Sequence, residues 1–288
     1  MLEPQILSSS IVQNFIPARK STSRKGDNGI VLVIGGSYIY HGAPILSSLA
    51  ALRCGTDLVY TSVPKINVSA TRSTSPNLIV IPLVDQKLTL GAVKKLVGAL
   101  PRNLHSATIG MGLAIQEKNS LLHLVESLLN RDVRLSLDAS ALIPEILPLL
   151  AHKNVVVTPH AGEFKRMFGD VPSDSKHERI QLVEKHALNS GLTILLKGKT
   201  DIISNGNTTY LCEKNTPAMT VGGTGDVLSG LVAGLLSNNR NSLESAAAAA
   251  FICGLAGKQV QDKLGFHITS MDLIDAIPSI MKPFDKIV

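Results

Sequence analysis

The stretch TVGGTGDVLSG, residues 220–230, places four glycines and one carboxylate in eleven positions, just before a long alanine-rich segment. The residues that follow have helical spacing, with one apolar face formed by Leu228, Leu231, Val232 and Leu235. The glycines therefore occupy the last turn before a helix N-terminus. Backbone N–H groups converge there without intrahelical acceptors, and the helix dipole favours an anion. The stretch predicts a strand-to-helix loop that binds phosphate.

A tight turn is the simpler alternative, with Asp226 as an ordinary acidic residue of a first helical turn. A turn needs one or two glycines, however, and this loop has Gly222, Gly223 and Gly225, with the Thr224 hydroxyl as a further donor. An aspartate beside a bound phosphate is electrostatically unfavourable unless it has a task. Phosphoryl transfer supplies one, because the attacking hydroxyl must lose its proton there. Asp226 is therefore the candidate general base, and the glycine N–H groups hold the developing charge.

Two other glycine segments follow apolar runs. IVLVIGGSYIYHGAP (30–44) runs from a buried strand into Gly35-Gly36, where an α/β sheet places ligands, but it lacks the G-x-G-x-x-G spacing. LLKGKTD (195–201) resembles the end of a Walker A loop, yet Thr193 stands where that motif requires glycine, which excludes a P-loop NTPase. For both segments a structural turn and a binding role remain open.

Apolar, β-branched runs alternate with stretches of helical length along the whole chain. Strands are predicted at 30–34, 58–63, 78–81, 133–137, 154–157 and 193–196, and helices at 43–54, 88–99, 115–129, 176–189, 225–237 and 243–261. This alternation predicts an α/β fold with a largely parallel sheet and helices on both faces. Asn205-Gly206, between two alternating runs in 201–211, predicts a terminal antiparallel hairpin. Ser175 and Glu178 form a capping box before the 176–189 helix.

The composition is that of one soluble cytoplasmic domain. No change in composition along the chain marks a domain boundary, so we expect a single domain at 26–288, preceded by a helix and basic connector at 1–25. The formal charge of +6 is scattered, which suits a small anionic ligand rather than nucleic acid. The start lacks a signal-peptide pattern, and Ala246–Ala256 is too short to span a membrane. The odd set of distant cysteines, Cys54, Cys212 and Cys253, indicates a reducing compartment.

Beyond the local patterns, G-G-T-G-D before an apolar helix resembles the nucleotide loop of ribokinase-like kinases. Four segments in order are more specific: KGDNGIVLVIGGSYIYHGAPILSSLAALRCGTDLV (25–59), VVVTPHAGEFKRMFG (155–169), LLKGKTDII (195–203) and PAMTVGGTGDVLSGLVAGLL (217–236). Together they resemble the ADP/ATP-dependent NAD(P)H-hydrate dehydratases, which repair hydrated nicotinamide cofactors. The resemblance spans residues 25 to about 280 and implies a ribokinase-like fold.

The resemblance also implies a reaction and its participants. ADP or ATP, with Mg²⁺, phosphorylates the C6 hydroxyl of the S-epimer of NADHX or NADPHX, and phosphate then leaves to restore NADH or NADPH. Asp226 deprotonates the hydroxyl, while Ala43, Gly112 and His160 line the hydrate pocket. Glu163 contacts Mg²⁺, indirectly through water. The implied nucleotide site comprises Lys197, Gly198, Lys199, Thr200, Asp201, Gly222, Gly223, Thr224 and Gly225.

The sequence departs from the family pattern at three places. Met111 replaces the proline of a glycine–proline–glycine turn, and Ser140 replaces an aspartate in D-A-S-A-L (138–142). His160 takes the asparagine position of the N-x-x-E motif of related kinases; without the resemblance, a histidine bonded to local backbone is the simpler reading. Many bacterial relatives carry an N-terminal epimerase domain, so here we expect a separate NAD(P)HX epimerase as functional partner. Family membership also suggests a homotetramer.

Two other functions compete with a dehydratase. A thiazole or pyrimidine kinase of the same superfamily shares the catalytic loop, but the HGAP and TPHAGE segments resemble the dehydratases. A catalytically silent nucleotide-binding or scaffolding protein has no need of Asp226 and Lys197 beside an intact glycine loop.

Overall fold

The computed structural model describes residues 3–213 and 216–288, in which ten strands form one sheet. The strands are β1 Gln5–Ile6, β2 Ile30–Ile34, β3 Leu58–Pro64, β4 Leu78–Leu83, β5 Ser106–Ile109, β6 Arg134–Leu137, β7 Val155–Val157, β8 Thr193–Leu196, β9 Thr200–Ser204 and β10 Thr209–Glu213. The helices are α1 Ser9–Phe15, α2 Gly42–Arg53, α3 Val68–Thr74, α4 Leu90–Ala99, α5 Lys118–Leu129, α6 Leu147–Leu150, α7 Ala161–Phe168, α8 Lys176–Ser190, α9 Thr224–Asn238, α10 Ser242–Leu264 and α11 Ser270–Met281.

The sheet is parallel except around one strand. Its order is β1-β10-β9-β8-β7-β6-β5-β2-β3-β4, and only the pairings of β9 with β8 and β10 are antiparallel. A tight turn after β8 reverses the chain into β9, and the turn at Asn205-Gly206 reverses it again into β10. The prediction of a largely parallel α/β sheet with an antiparallel hairpin is confirmed. β1 pairs outside β10, so the N-terminal segment contributes an edge strand as well as helix α1.

Alternate residues of the central strands face two helical layers. In β2, Ile30, Leu32 and Ile34 pack in a cluster with α4, α5, α7 and α8. Val31 and Val33 face the opposite side, where α2 and α9 lie, and α1, α10 and α11 complete that layer. Because these strands are covered on both sides, their sequences are apolar throughout rather than alternating.

The helix α9 lies at the centre of the second layer and packs across β2, β5 and β6. Its residues from Val227 to Ser237 are all buried. Its N-terminus reaches the edge of the sheet where the parallel strands end, and so carries the glycine loop to that edge. In the described parts of the chain, no helix is both long and apolar enough to cross a membrane.

Candidate active site

Several residues of the candidate site lie where the central parallel strands end. Gly110 follows β5, Asp138 follows β6 and Lys197 follows β8, while His160 lies shortly after β7. The register of the parallel strands brings these ends side by side. This is the edge at which open α/β sheets bind ligands.

The glycine loop enters α9 through a left-handed residue. Gly223 is the N-cap of α9 with a φ of 93°, a conformation that glycine adopts without steric cost. A Cβ on Gly223 would lie 2.6 Å from Leu46 Cδ1 and 2.7 Å from Ser270 Oγ, so the loop has no room for a side chain there. Gly222, in contrast, has open space around it. Since the first N–H groups of a helix lack intrahelical acceptors, the loop presents backbone donors to an anion.

Two hydroxyls brace the loop from within. Thr224 Oγ1 donates to the carbonyl of Met219 at 3.1 Å, and Ser270 Oγ donates to the carbonyl of Gly222 at 2.7 Å. The Thr224 hydroxyl therefore donates within the loop, and its contact with a bound anion stays a prediction. Sequence reasoning missed Ser270, although TSMD (269–272) has the form of a capping box and does begin α11.

Asp226 is half-buried in the first turn of α9. Ser47 Oγ, from α2, donates to the Asp226 carbonyl at 2.6 Å and fixes this turn. Burial raises the pKa of the Asp226 carboxyl to about 7; the charge of Asp138 raises it further and that of Lys197 opposes the rise. A carboxyl with this pKa can accept a proton near neutral pH, as a general base must.

Lys197 joins the strand ends to two carboxylates. Its Nζ lies 2.8 Å from Asp138 Oδ1 and 3.6 Å from Glu163 Oε2. Burial lowers the pKa of Lys197, but the charges of Asp138, Glu163 and Asp226 outweigh burial and raise it overall. The ammonium thus stays charged, and it lies at the floor of the site where a phosphate would approach the glycine loop.

Asp138 is almost fully buried and depends on neighbouring donors. Thr158 Oγ1 donates to Asp138 Oδ1 at 2.8 Å, the same oxygen that Lys197 contacts. The sequence analysis noted Asp138 only as part of DASAL and gave it no role. No local pattern identifies it, because its partners Thr158 and Lys197 directly follow β7 and β8 and are distant in the sequence.

Replacing Thr158 by valine is expected to destabilise the protein by about 1–2 kcal/mol. Valine has nearly the shape of threonine, but it removes a hydrogen-bond donor from the buried carboxylate of Asp138. The turnover should also fall, since Lys197 is held through the same Asp138 oxygen. Chemical denaturation and steady-state kinetics measure the two effects. Thr158→Ser keeps the hydroxyl and should stay near wild type. Equal behaviour of the valine and serine variants would contradict this role for the Thr158 hydroxyl.

His160 and Glu163 form a capping box at the start of α7. The Nδ1 of His160 accepts hydrogen bonds from the N–H groups of Gly162 and Glu163, at 3.0 and 3.3 Å. Glu163 Oε2 in turn accepts from the His160 N–H at 2.9 Å. The Nδ1 nitrogen is therefore committed to local backbone, and the Nε2 of the exposed ring lies 3.4 Å from Glu163 Oε1. Both readings of His160 from the sequence, local backbone partner and pocket residue, are compatible with this geometry.

A cleft of about 640 Å³ opens beside the glycine loop. Five of the predicted nucleotide residues line it: Lys197, Gly198, Lys199, Thr224 and Gly225. Sequence reasoning missed five others: Thr216, Pro217, Met219, Thr220 and Leu228. The segment PAMT was visible as part of the family-like stretch 217–236, but nothing in its composition marks it as a ligand wall. Its apolar members make one side of the cleft suitable for a flat base.

The turn between β8 and β9 is held by an aspartate. Asp201 is fully buried, and its Oδ1 accepts a hydrogen bond from the Gly198 N–H at 2.9 Å. Thr200 begins β9 and is half-buried. Of the predicted residues in this segment, Lys197, Gly198 and Lys199 face the cleft, while the Asp201 side chain shapes the turn that presents them.

The predicted hydrate-side residues Ala43 and Gly112 are neighbours. Gly112 has a φ of 63°, and a Cβ placed on it would lie 3.3 Å from Ala43 Cβ and 2.7 Å from Tyr40 Cβ. The loop bearing Gly112 is supported by Ser140, whose Oγ donates to the Gly110 carbonyl at 2.8 Å. Ser140 thus serves the strand-end loop, with a hydroxyl in place of the family's carboxylate.

The oxygen atoms around Lys197 suit a hard cation. Mg²⁺ takes oxygen ligands, keeps several waters and commonly adds substrate phosphates to one or two carboxylates. Asp138 and Glu163 supply such oxygens within reach of one ammonium. Among residues 3–213 and 216–288, no group of three or more His, Cys, Asp or Glu side chains is arranged to hold a metal. A cation bridged by water and nucleotide phosphates fits these residues.

Comparisons with known proteins show the family of the chain. A model of the NAD(P)H-hydrate dehydratase family matches residues 31–279. The chain is 80% identical over 281 residues to the ADP-dependent (S)-NAD(P)H-hydrate dehydratase of Nitrosopumilus maritimus (strain SCM1), covering 98% of each chain. It is 60% identical over 283 residues to the protein of the same name from Cenarchaeum symbiosum (strain A), covering 98% of this chain and 99% of that one.

A solved structure shares the fold over the whole chain. It is the ADP/ATP-dependent NAD(P)H-hydrate dehydratase from Bacillus subtilis, co-crystallised with ATP and Mg²⁺. The TM-score is 0.85 and the sequence identity 25%, with 99% of this chain and 100% of that chain covered.

Proposed function

Because the chain belongs to the NAD(P)H-hydrate dehydratase family, we propose that it dehydrates the S-epimer of NADHX and NADPHX to NADH and NADPH at the expense of a nucleotide. The protein is then a metabolite-repair lyase. The family match and both curated relatives support this reaction over the small-molecule kinase considered from the sequence.

One observation carries the chemistry: Asp226, with a pKa of about 7, lies in the first turn of α9 beside both the glycine loop and Lys197. This arrangement puts a base next to an anion-binding helix N-terminus. It fits an alcohol as the acceptor of a phosphoryl group. Within one turn of helix, the carboxylate can accept the alcohol proton and the backbone N–H groups can stabilise the phosphate charge.

In the first step, Asp226 accepts the proton of the C6 hydroxyl on the hydrated nicotinamide ring. The hydroxyl oxygen attacks the terminal phosphorus of the nucleotide and the bridging P–O bond breaks, so ADP yields AMP or ATP yields ADP. The N–H groups of Gly225 and its neighbours in the loop, with the ammonium of Lys197, offset the charge on the transferred group.

In the second step, the C6–O bond of the phosphorylated hydrate breaks and inorganic phosphate leaves with the electron pair. The ring loses a proton from C5, and the C5=C6 double bond of NAD(P)H forms. Phosphorylation thus converts a poor leaving group, hydroxide, into a good one. Ala43, Gly112 and the exposed ring of His160 form the hydrate side of the pocket in this proposal.

Mg²⁺ supplies charge neutralisation for the nucleotide phosphates when bound. Glu163 would hold the ion through water, because its Oε2 already accepts from the His160 N–H and its Oε1 lies 3.4 Å from His160 Nε2. Lys197, Gly198, Lys199 and the 222–225 loop bind the nucleotide, with Thr200 and Asp201 supporting the turn. ADP is the preferred co-substrate, as the names of the two archaeal relatives suggest.

The proposed setting is a reducing cytoplasm, in which the buried side chains of Cys54, Cys212 and Cys253 remain reduced. A NAD(P)HX epimerase is the expected functional partner, since a dehydratase specific for one epimer leaves the other unrepaired. The assembly is proposed to be a homotetramer, which sedimentation analysis would test.

The activity is tested by incubating the protein with (S)-NADHX, Mg²⁺ and either ADP or ATP. The near-ultraviolet absorbance of the reduced nicotinamide should recover as NADH forms, faster with ADP. Absence of recovery with both nucleotides, together with phosphorylation of a thiazole or pyrimidine alcohol, would replace the dehydratase by a kinase.

The pH dependence of kcat/KM should report the Asp226 carboxyl. The base must be deprotonated, so kcat/KM should rise about tenfold per pH unit below the pKa of about 7 and level off above it. Initial rates measured across pH 5–9 with subsaturating hydrate give the profile. A profile that is flat through pH 7, or that falls there, would assign the proton transfer to another group.

A further inference from the structure

A second cationic site lies at the opposite edge of the sheet. Whereas Asp138 follows β6 at the active-site edge, Arg134 begins β6 at the other end. His105 and Asn154 directly precede β5 and β7 at this same amino-terminal edge. Ser237, near the C-terminus of α9, also reaches it, about 17 Å along the helix from Asp226.

Two adjoining clefts form one basic groove there. A cleft of about 560 Å³ contains His105, Arg131, Arg134 and Arg240, and a shallower one of about 700 Å³ contains His152 and Lys153. Asn154 and Arg240 line both. Among the lining residues that the structure describes, Asp132 is the single carboxylate. The N-terminus of the long helix α10, at Asn241 and Ser242, adds its positive dipole end.

The guanidinium of Arg134 is fixed in position. Its Nη2 donates to the Ser237 carbonyl at 3.0 Å, and its Nε donates to the His105 carbonyl at 3.1 Å. Capping of α9 explains the bond to Ser237 but not the neighbouring Arg240, whose positive charge repels that of Arg134. In the described part of the chain, no ion pair compensates Arg131, Arg134 or Arg240.

The directions of the pKa shifts of Arg134 and His105 agree with an excess of positive charge around them. Burial lowers the pKa of Arg134, and the charge of Arg240 lowers it further. Burial likewise lowers the pKa of His105, with Arg134 and Arg240 adding to the effect and Asp27 opposing it. A preorganised guanidinium beside a second one is the arrangement that binds a tetrahedral oxyanion with charge-assisted hydrogen bonds.

We propose that this basic groove binds the phosphate group of a small anion, at a site separate from the active site. Arg134 and Arg240 grip the phosphate oxygens, and the remaining cations raise the local anion concentration. The described lining residues include no Phe, Tyr or Trp side chain, so affinity comes from the phosphate rather than from a stacked base. The proposal does not depend on the reaction catalysed at the other edge.

Calorimetric titration of the full chain with inorganic phosphate, at constant ionic strength set by chloride, tests the proposal. Wild type should bind at two sites, the glycine loop and the groove. Arg240→Gln should weaken the groove site about tenfold or more, the loss expected for one charge-assisted bond. The exposed Arg240 side chain makes no hydrogen bond in the described structure, since only its carbonyl is bonded, by Asn154, so the variant should fold normally.

Arg72→Gln, at an exposed arginine of α3, is the matched control for loss of one positive charge. A parallel titration with AMP distinguishes free phosphate from phosphate carried on a nucleoside. An effect of Arg240→Gln on either titration, absent from Arg72→Gln, supports the groove and identifies the source. Isotherms of Arg240→Gln that match wild type for both anions, or equal losses in the two variants, would overturn the proposal.

Discussion

Asp226→Asn is expected to lower kcat about 10³-fold, the contribution of a well-placed general base. The amide has nearly the same shape, and the glycine loop that holds the nucleotide is untouched. The affinity for ADP, measured calorimetrically, should therefore stay near the wild-type value or improve, because a carboxylate no longer repels the phosphates. An Asn variant with turnover near wild type would show that another group takes the proton.

The same substitution should make the protein more stable at neutral pH. The pKa of Asp226 is about 7 in the folded protein but near the ordinary value of 3.8 when unfolded, so the native state holds more protons between these values. The contribution of Asp226 to stability is therefore present below pH 4 and is lost as the pH rises through 7. Asn keeps the uncharged form at every pH.

Denaturation at pH 4 and pH 8 measures this difference. The two proteins should be alike at pH 4, and the variant should be about 1–3 kcal/mol more stable at pH 8, allowing for partial exposure of the group. Asp262→Asn, at an exposed carboxylate paired with Lys258, is the control and should change neither activity nor stability appreciably. If the variant were no more stable than wild type at pH 8, the ionised Asp226 carboxylate would not destabilise the folded protein.

Gly230→Ala is expected to destabilise the protein by about 2–4 kcal/mol, through overpacking of the contact between α2 and α9. A Cβ on Gly230 would lie 2.1 Å from the carbonyl oxygen of Ser47 and 2.8 Å from its Cα. Backbone atoms cannot rotate away, so the two helices must separate. Activity should fall as well, because Ser47 Oγ holds the Asp226 carbonyl at 2.6 Å across this contact.

Gly98→Ala in α4 is the matched control. Nothing lies within 4 Å of a Cβ at that position, so alanine should stabilise the helix by up to about 1 kcal/mol. Thermal unfolding and kcat for both variants give the comparison. If Gly230→Ala were as stable and active as Gly98→Ala, the close approach of α2 and α9 would not be what positions Asp226.

Local sequence patterns predicted the elements that an apolar run or a characteristic turn marks in the sequence. The strand at 30–34 and the hairpin at 201–211 were visible because apolar periodicity and the Asn205-Gly206 turn act over a few residues. β5 was missed because Ser106 and Thr108 interrupt its apolar run. Both hydroxyls are buried and bonded to α9, at 2.6 Å each, which no periodicity can reveal.

In the candidate site, too, local features could be predicted from the sequence, whereas contacts between distant residues could not. The glycine loop and Asp226 are adjacent in sequence, so helix-terminus physics identified them as a unit. The helices α3, α7 and α11 were not predicted, although α7 and α11 both start with capping boxes. The Thr158–Asp138–Lys197 network spans three strands, and the sheet order alone brings it together. The Ser175 half of the capping box predicted for α8 is formed, with its hydroxyl accepting from the Glu178 N–H.

The most direct test of phosphate as the leaving group follows the hydrate oxygen. (S)-NADHX labelled with ¹⁸O at the C6 hydroxyl is incubated with the protein, Mg²⁺ and ADP, and the phosphate released is analysed by mass spectrometry. Transfer followed by elimination predicts one ¹⁸O atom in each inorganic phosphate, in proportion to the NADH formed. Unlabelled phosphate, with ¹⁸O released to water, would contradict the account, because the hydroxyl would then leave without having been phosphorylated.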